Sequence, residues 1–349
     1  MIDNIFHTSD VRSTLSTLVE PYAEERILVV LDEHTEEFCW PLLADLDCFR
    51  KATKVIIGSG DEYKDIASLS KVWQALVNCG ATRYSLVVNV GGGMVCDLGG
   101  MAAATFKRGL DCINVPTTLL SMVDASVGGK TAVNFAGLKN EVGVFAQPKA
   151  VVISTEFLKT LPAAELLSGY AEMIKHALIA DTQMWAEALN FDLQKPDYEQ
   201  LATMIRQSVE VKQRIVQQDP TEQSIRKVLN LGHTFGHAFE SFFLLKQQPV
   251  SHGHAVAAGL VCELYLSTAL CGFPTDQMRQ TVRFIFEHYG RLPIDCKEYG
   301  KLFQLMAHDK KNRHDQISFT LLKAIGEPLY DQHAWEEIMA EALEFYREG

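Results

Sequence analysis

The chain has 349 residues, 47% of them hydrophobic and 22% charged, the balance of a globular protein with a large core, and this length favours two domains over one. A formal net charge of −12 excludes a dedicated nucleic-acid binder, whose surface must neutralise phosphate. The opening MIDNIFHTSD is unlike a secretion signal, no apolar run is expected to approach the ~20 residues of a membrane span, and eight scattered cysteines without a CxxC pair are expected to be reduced thiols, so the expectation is a cytoplasmic protein.

The first half alternates short β-rich runs with helical ones. Residues 26–32 (RILVVLD), 53–57 (TKVII), 84–90 (YSLVVNV), 111–115 (DCINV) and 150–154 (AVVIS) read as buried strands, with helices predicted over 64–78 and 95–106. Uninterrupted apolar strands separated by helices predict a mostly parallel sheet covered on both faces. Near residue 160 the spacing turns helical, over 162–189, 198–217, 225–245, 253–269, 276–288 and 335–347, and only 317–322 (ISFTLL) reads as a strand. A helical second domain is therefore expected after a boundary at about 155–165.

Residues 87–97 (VVNVGGGMVCD) carry a strand into Gly91-Gly92-Gly93 and then into a helix. Consecutive glycines admit a phosphate close to the backbone, and a helix N-terminus offers N–H groups to it. The pattern is not G-x-G-x-x-G, so it points to a phosphate or dinucleotide in general terms, against the plainer alternative of a tight strand–helix turn. Asp32 ends the first predicted strand, where an acid can accept from a ribose hydroxyl, although strand-ending aspartates also serve turns. Thr117 and Thr118 follow a later strand at the same carboxyl edge. The loop 124–131 (DASVGGKT) and the following 137–140 (GLKN) set Asp124, Lys130, Lys139 and Asn140 among glycines and small residues, which suits an anion better than a solvated loop. GGKT does not end a P-loop, because Asp124 stands where that motif needs its first glycine.

In the helical half, Glu172 and Lys175 are spaced i, i+3 and His233 and His237 i, i+4, so each pair shares a helix face, while SHGH adds His252 and His254. A carboxylate with two or more imidazoles suits Zn²⁺ or a similar ion with positions open to substrate. A lone histidine on an apolar helix is usually structural; four within 22 residues, flanked by glycines, point to a metal or to catalysis. Spacing does not choose three ligands among Glu172, His176, His233, His237, His252 and His254. Upstream lie Lys212, Arg226 and Asn230, the last two spaced as i, i+4 partners. Each alone would read as a solvated helix face, as would the charge run 309–312 (DKKN).

Nine segments in order, GGGMVCDLGG, KRG, VPTTLLSMVDASVGGKTAVN, GLKNEVGVFAQP, FLKTLP, GYAEMIKHALI, RKVLNLGHTFGHAFE, HGHAVAAG and DKKN, resemble the 3-dehydroquinate synthase family along nearly the whole chain. The resemblance implies an α/β protein with a Rossmann-like, doubly wound NAD domain over 1–160 and an all-α metal- and substrate-binding domain over 161–349. It also implies a homodimer that acts on a small sugar phosphate, with no nucleic-acid or membrane partner. The implied reaction converts 3-deoxy-D-arabino-heptulosonate 7-phosphate to 3-dehydroquinate and phosphate, by transient oxidation with NAD, phosphate elimination, re-reduction and aldol closure.

Carried over residue by residue, the resemblance implies Glu172, His233 and His252 as ligands of Zn²⁺ or Co²⁺. It implies that NAD meets Asp32, Asp61, Glu62, Tyr63, Lys64, Gly92, Gly93, Asp97, Thr117, Thr118, Lys130, Lys139, Phe157 and Thr160. Substrate and catalysis fall to Arg108, Asp124, Lys130, Asn140, Lys175, Lys212, Arg226, Asn230, His237 and Lys310, with His237 relaying a proton. Two departures stand out. The family's Gly-Glu-x-x-Lys reads Gly60-Asp61-Glu62-Tyr63-Lys64, and its His-Gly-Glu reads His252-Gly253-His254, so His254 is expected to replace that glutamate or to compete for the metal. Cyclases of neutral sugar phosphates and metal-dependent alcohol dehydrogenases share these features in part. The cations Lys212 and Arg226 favour a carboxylate-bearing substrate over the former, and the phosphate-binding lysines argue against the latter.

Overall fold

The computed structural model describes residues 4–136, 138–307 and 317–349, so Lys310 and the rest of the DKKN run lie outside the described residues. Two compact units are present, one of Met1–Pro162 with Tyr198–Val209, the other of Ala163–Asp197 with Glu210–Gly349. A single cut at residue 160 therefore misses the return of Tyr198–Val209 to the first unit.

The first unit runs β1 (Ile5–His7), α1 (Val11–Val19), β2 (Ile27–Asp32), α2 (Glu33–Phe38), β3 (Thr53–Ile57), α3 (Ile66–Asn78), β4 (Leu86–Gly91), α4 (Gly93–Thr105), β5 (Asp111–Pro116), β6 (Lys130–Phe135), β7 (Leu138–Phe145) and β8 (Ala150–Ile153). Six strands form one sheet in the order β1-β8-β5-β4-β2-β3, every pairing parallel. β2, β4 and β8 are buried along their whole length, which is why their sequences show no polar alternation. All five expected strands of the sheet are present; β1, three residues at the sheet edge, is too short to show a pattern. From β2 the chain goes outward to β3 and then returns across β2 to β4. That reversal makes the β2/β4 boundary the topological switch point, and its carboxyl edge holds Asp32 and Gly91 side by side. Of the stretch read as a glycine-bearing loop, the part from Lys130 onward is instead an antiparallel hairpin, β6 with β7, in which Lys130 faces Phe145.

The second unit holds α5 (Ala163–Ala180), α6 (Thr182–Asn190), the later part of α7 (Tyr198–Gln218), α8 (His233–Leu245), α9 (His252–Leu266), α10 (Thr275–Tyr289), α11 (Tyr299–Ala307), β9 (Phe319–Ala324), β10 (Glu327–Gln332) and α12 (Glu336–Glu348). The unit is helical, but not all-α: the one strand expected there pairs with β10, whose Pro328 and alternating half-burial hid it in the sequence. The run predicted over 162–189 breaks at Asp181, which caps α6 by accepting the N–H groups of Gln183 and Met184. The run over 225–245 also breaks. Ile225–Asn230 is a 3₁₀ turn, and Gly232 at φ 80° reverses the chain before α8. In a 3₁₀ turn residues i and i+3 eclipse, so Arg226 and Asn230, four apart, do not share the face that α-helical spacing implied.

Contrary to expectation, one segment among the described residues, His252–Cys271, is long and apolar enough to cross a membrane, with mean hydropathy 1.4. It is a core element: 67% of that window is buried, and α5, α8, α10 and α12 pack around α9. A helix covered on all sides is apolar on all sides.

Candidate functional site

In the second unit, three helices converge on one carboxylate. Glu172, fully buried on α5, directs Oε1 to His252 Nε2 at 3.2 Å and to His233 Nε2 at 3.4 Å, while Lys175 Nζ pairs with Oε2. One donor atom from each of Glu172, His233 and His252 lies within 4.8 Å of the others. Both histidines sit at the first position of their helices, His252 behind the cap Ser251 and His233 behind Gly232.

The outer nitrogens are held too. His233 Nδ1 meets the Leu231 carbonyl at 3.1 Å, and His252 Nδ1 meets Glu240 Oε2 at 3.5 Å. An acceptor at Nδ1 assigns the hydrogen there and turns the Nε2 lone pair inward, the arrangement metal-binding histidines use. Burial alone would push the Glu172 carboxyl up, but the positive charge of Lys175 and its contacts with His233 and His252 hold it well below the usual range. Burial likewise pulls His252 down, and its bonds to Glu172 and Glu240 outweigh that and push it up to about 10. A site that stabilises a proton on this nitrogen so strongly stabilises a cation in its place. One buried carboxylate and two inward imidazole nitrogens fit a divalent ion of nitrogen and oxygen preference.

Of the remaining candidates, His237 stands beside this set, its ring centroid 5.3 Å from that of His233 and 6.2 Å from that of His252. His176 is fully buried on α5. His254 is turned elsewhere, edge-on to Tyr289 at 5.2 Å with Nδ1 3.2 Å from Ser251 Oγ. The side chain that meets His252 Nδ1 is instead Glu240, on α8. Lys175, Lys212 and Arg226 are all buried, so their charges require partners inside the protein or on a ligand. Arg226 Nη1 donates to the Pro220 carbonyl at 2.6 Å, and Asn230 Nδ2 to Glu222 Oε1 at 3.0 Å. The loop leading into Arg226 is organised by Asp219, which accepts the N–H groups of Gln223, Ser224 and Arg226. Burial opposes the shift, yet those bonds hold its carboxyl down to about 2.

In the first unit, Gly92 caps α4 without a side chain to bond its first N–H groups, which lie at the carboxyl edge of the sheet. Thr117 N–H donates to the Gly91 carbonyl at 3.0 Å, so the end of β5 is tied to the same turn. Three motifs far apart in sequence meet nearby. Lys64 Nζ is bonded by Asp97 Oδ2 and by Asn140 Oδ1, and Lys139 Nζ lies 3.1 Å from Asp61 Oδ2. Asp61, Glu62 and Tyr63 form the short 3₁₀ turn leading to Lys64. Asp32 accepts the Thr35 N–H at 2.8 Å as the cap of α2, the turn role that strand-ending aspartates often play. Thr118 bonds Ser121 Oγ at 2.9 Å, and Asp124 lies in the π-helical turn Ser121–Ala125. Phe157 is buried and Thr160 exposed on the turn after β8, and Lys130 is exposed at the start of β6. Arg108, exposed past the far end of the 13-residue α4, is about 20 Å along the helix from Gly93 and is not brought to this edge.

Sequence reasoning missed Glu240, Asp219, Glu222 and Glu263. An acid at a helical or loop position reads as solvated surface. Only Glu263 carried a signal, as the one charge in the apolar run 255–266.

A parallel sheet with this switch point, followed by a helical unit, is a fold that this chain shares with solved cyclases of sugar phosphates. The chain matches 2-deoxy-scyllo-inosose synthase, solved with carbaglucose-6-phosphate, NAD⁺ and Co²⁺, at TM-score 0.83 and 23% identity over 97% of this chain and 95% of that one. It matches 2-epi-5-epi-valiolone synthase from Streptomyces hygroscopicus, solved with NAD⁺ and Zn²⁺, at TM-score 0.82 and 23% identity over 92% and 90%. Within that class the sequence is more specific. Models of the 3-dehydroquinate synthase N-terminal and C-terminal domains match residues 54–168 and 169–312. The 3-dehydroquinate synthase of Parabacteroides distasonis is 50% identical over 340 residues, covering 97% of this chain and 96% of that protein. The chain belongs to the 3-dehydroquinate synthase family.

Proposed function

We propose that this chain converts 3-deoxy-D-arabino-heptulosonate 7-phosphate to 3-dehydroquinate and phosphate, using NAD and one Zn²⁺ or Co²⁺ ion. The observation that carries the reading is the buried Glu172 carboxylate facing two imidazole Nε2 atoms, in a chain half identical to a 3-dehydroquinate synthase. When bound, NAD supplies a reversible hydride acceptor and the divalent ion a Lewis acid for substrate hydroxyls.

The chain's own residues do the rest. Glu172, His233 and His252 hold the ion, and Lys175 balances the charge of Glu172. Gly92, Gly93, Thr117 and Thr118 offer backbone and hydroxyl donors to the dinucleotide, with Asp32, the 61–64 turn, Asp97, Lys130, Lys139, Phe157 and Thr160 along its length. Lys212, Arg226 and Asn230 bind the substrate carboxylate, for which a planar guanidinium is suited. Lys130, Asn140, Lys175 and Lys310 offer cations and donors for the anionic groups of the substrate, and Asp124 an acceptor; Arg108, beyond the far end of α4, is left out of this set. His237 takes the proton from the hydroxyl being oxidised and later returns it, a task that matches the pKa range of imidazole. Product plus phosphate has the oxidation state of the substrate, so the cofactor returns to its starting form in every turnover. As the family resemblance implies, the working form is a homodimer, which sedimentation of the full chain tests.

The test is phosphate release by protein stripped with a chelator, with NAD⁺ present. Restoration by Zn²⁺ or Co²⁺ is expected. Full release without any added ion contradicts the proposal, and release only from neutral sugar phosphates moves the chain to another cyclase activity.

A further inference from the structure

Between Ala255 and Leu266, α9 carries a single charged residue, Glu263, and its side chain is fully buried. A carboxylate in such surroundings is costly unless its oxygens are hydrogen-bonded. They are, by backbone of another helix: Oε2 accepts the Gly232 N–H at 2.6 Å, and Oε1 accepts the N–H groups of Thr234 at 2.9 Å and Phe235 at 3.4 Å. These belong to the start of α8, whose own cap, Gly232, has no side chain to bond them. Glu263 supplies the missing cap from α9, and its negative charge faces the positive end of the α8 dipole. The approach depends on Gly259, one turn earlier, where an added Cβ would come 2.0 Å from the Gly232 carbonyl oxygen.

The residue enclosed by these bonds is His233. Its neighbours on both sides, Gly232 and Thr234, donate to Glu263. Its Nδ1 is fixed by the carbonyl of Leu231, the residue before Gly232. We propose that Glu263 is a positioning residue for the metal site: by gripping the backbone on either side of His233, it fixes where the Nε2 atom of that histidine points. The inference rests on the reading of Glu172, His233 and His252 as metal ligands. A cap that served only stability would lower Tm and leave ion affinity alone, which makes the two roles separable.

The experiment titrates chelator-stripped full-length protein with Zn²⁺ against a chromogenic competitor, and records the absorption spectrum of the Co²⁺ form. Four variants are compared: Glu263→Gln, Glu263→Ala, His233→Ala and Leu343→Ala, the last in the buried face of α12 as a control for general destabilisation. Glu263→Gln keeps the size and one acceptor but turns an amide donor toward a backbone donor, so it tests the role even if Glu263→Ala does not fold. For Glu263→Gln, Zn²⁺ affinity is expected to fall about 10- to 100-fold, the range found when the outer partner of a metal ligand is lost, and the Co²⁺ spectrum to shift. Leu343→Ala is expected to lower Tm with both unchanged. Wild-type affinity and spectrum in Glu263→Gln would overturn the inference, as would an equal loss of affinity in Leu343→Ala. Unchanged affinity in His233→Ala would instead overturn the ligand reading on which the inference rests.

Discussion

The two charged clusters are built on different principles. Around Glu172, the ionisable groups come from three helices, Glu172, Lys175 and His233 buried and His252 partly so, and each has a second partner that fixes it: Lys175 for the carboxylate, the Leu231 carbonyl and Glu240 for the imidazoles. Around Lys64 only the ammonium is buried. Its partners come from α4 and from β7, every residue of which is exposed, and the neighbouring Asp61–Lys139 pair is close to half exposed. Charges held inside packed helices have one geometry before any ligand arrives. Charges on a hairpin and a short turn hold one another and can exchange those bonds for a ligand's. The first arrangement suits an ion that needs fixed donors, the second a long flexible dinucleotide.

The contrast predicts unequal responses to loss of one charge. Glu172→Gln removes the buried carboxylate that Lys175 and both histidines face, so the ion-free protein should lose roughly 3–5 kcal/mol of stability along with measurable Zn²⁺ binding. Denaturant unfolding and metal titration read both, and a stable variant that still binds Zn²⁺ would erase the contrast. His237→Ala removes the imidazole proposed to carry the proton, which stands beside His233 and His252. Turnover should fall about 10²- to 10⁴-fold with Zn²⁺ and NAD affinities intact, as single-turnover kinetics and titration will show. Asp97→Asn touches the looser cluster, where Lys64 keeps Asn140. NAD binding by calorimetry should weaken only about tenfold, the worth of one charge-assisted hydrogen bond, with little change in stability; a collapse in stability would place this cluster with the rigid one.

The smallest effect concerns neither cluster. On β1, burial, with Arg206 adding to it, pushes His7 down to about 4. An unfolded chain takes up that proton nearer pH 6.5, so stability contributed by neutral His7 is present above about 6.5 and is lost as pH falls toward about 4. Urea midpoints at pH 7 and pH 5 should therefore differ more for the wild type than for His7→Asn.

Much of this fold was legible because burial on both faces writes strands as plain apolar runs, as in ILVVLD and LVVNVG. β1 was too short to register, and the β6–β7 hairpin was hidden by the glycines and lysines that also suggested an anion site. Within a helix, spacing assigns a face, so Glu172 with Lys175 and His233 with His237 could be paired in advance. Spacing cannot give distances between helices, which left six candidate donors with no choice among them. It also assumed α-helical repeat through Arg226 and Asn230, where Gly232 and a 3₁₀ turn change the period. Glu240 gave no signal, and Glu263 showed only as a lone charge in an apolar run, for a related reason: the partner each one serves lies on another helix.

The most direct test of the central claim records phosphate release and the absorbance of NADH together, with 3-deoxy-D-arabino-heptulosonate 7-phosphate, NAD⁺ well below the substrate concentration, and Zn²⁺. Phosphate equal to substrate consumed, with no lasting NADH, is the predicted result. NADH accumulating in step with substrate loss, without phosphate, would contradict it.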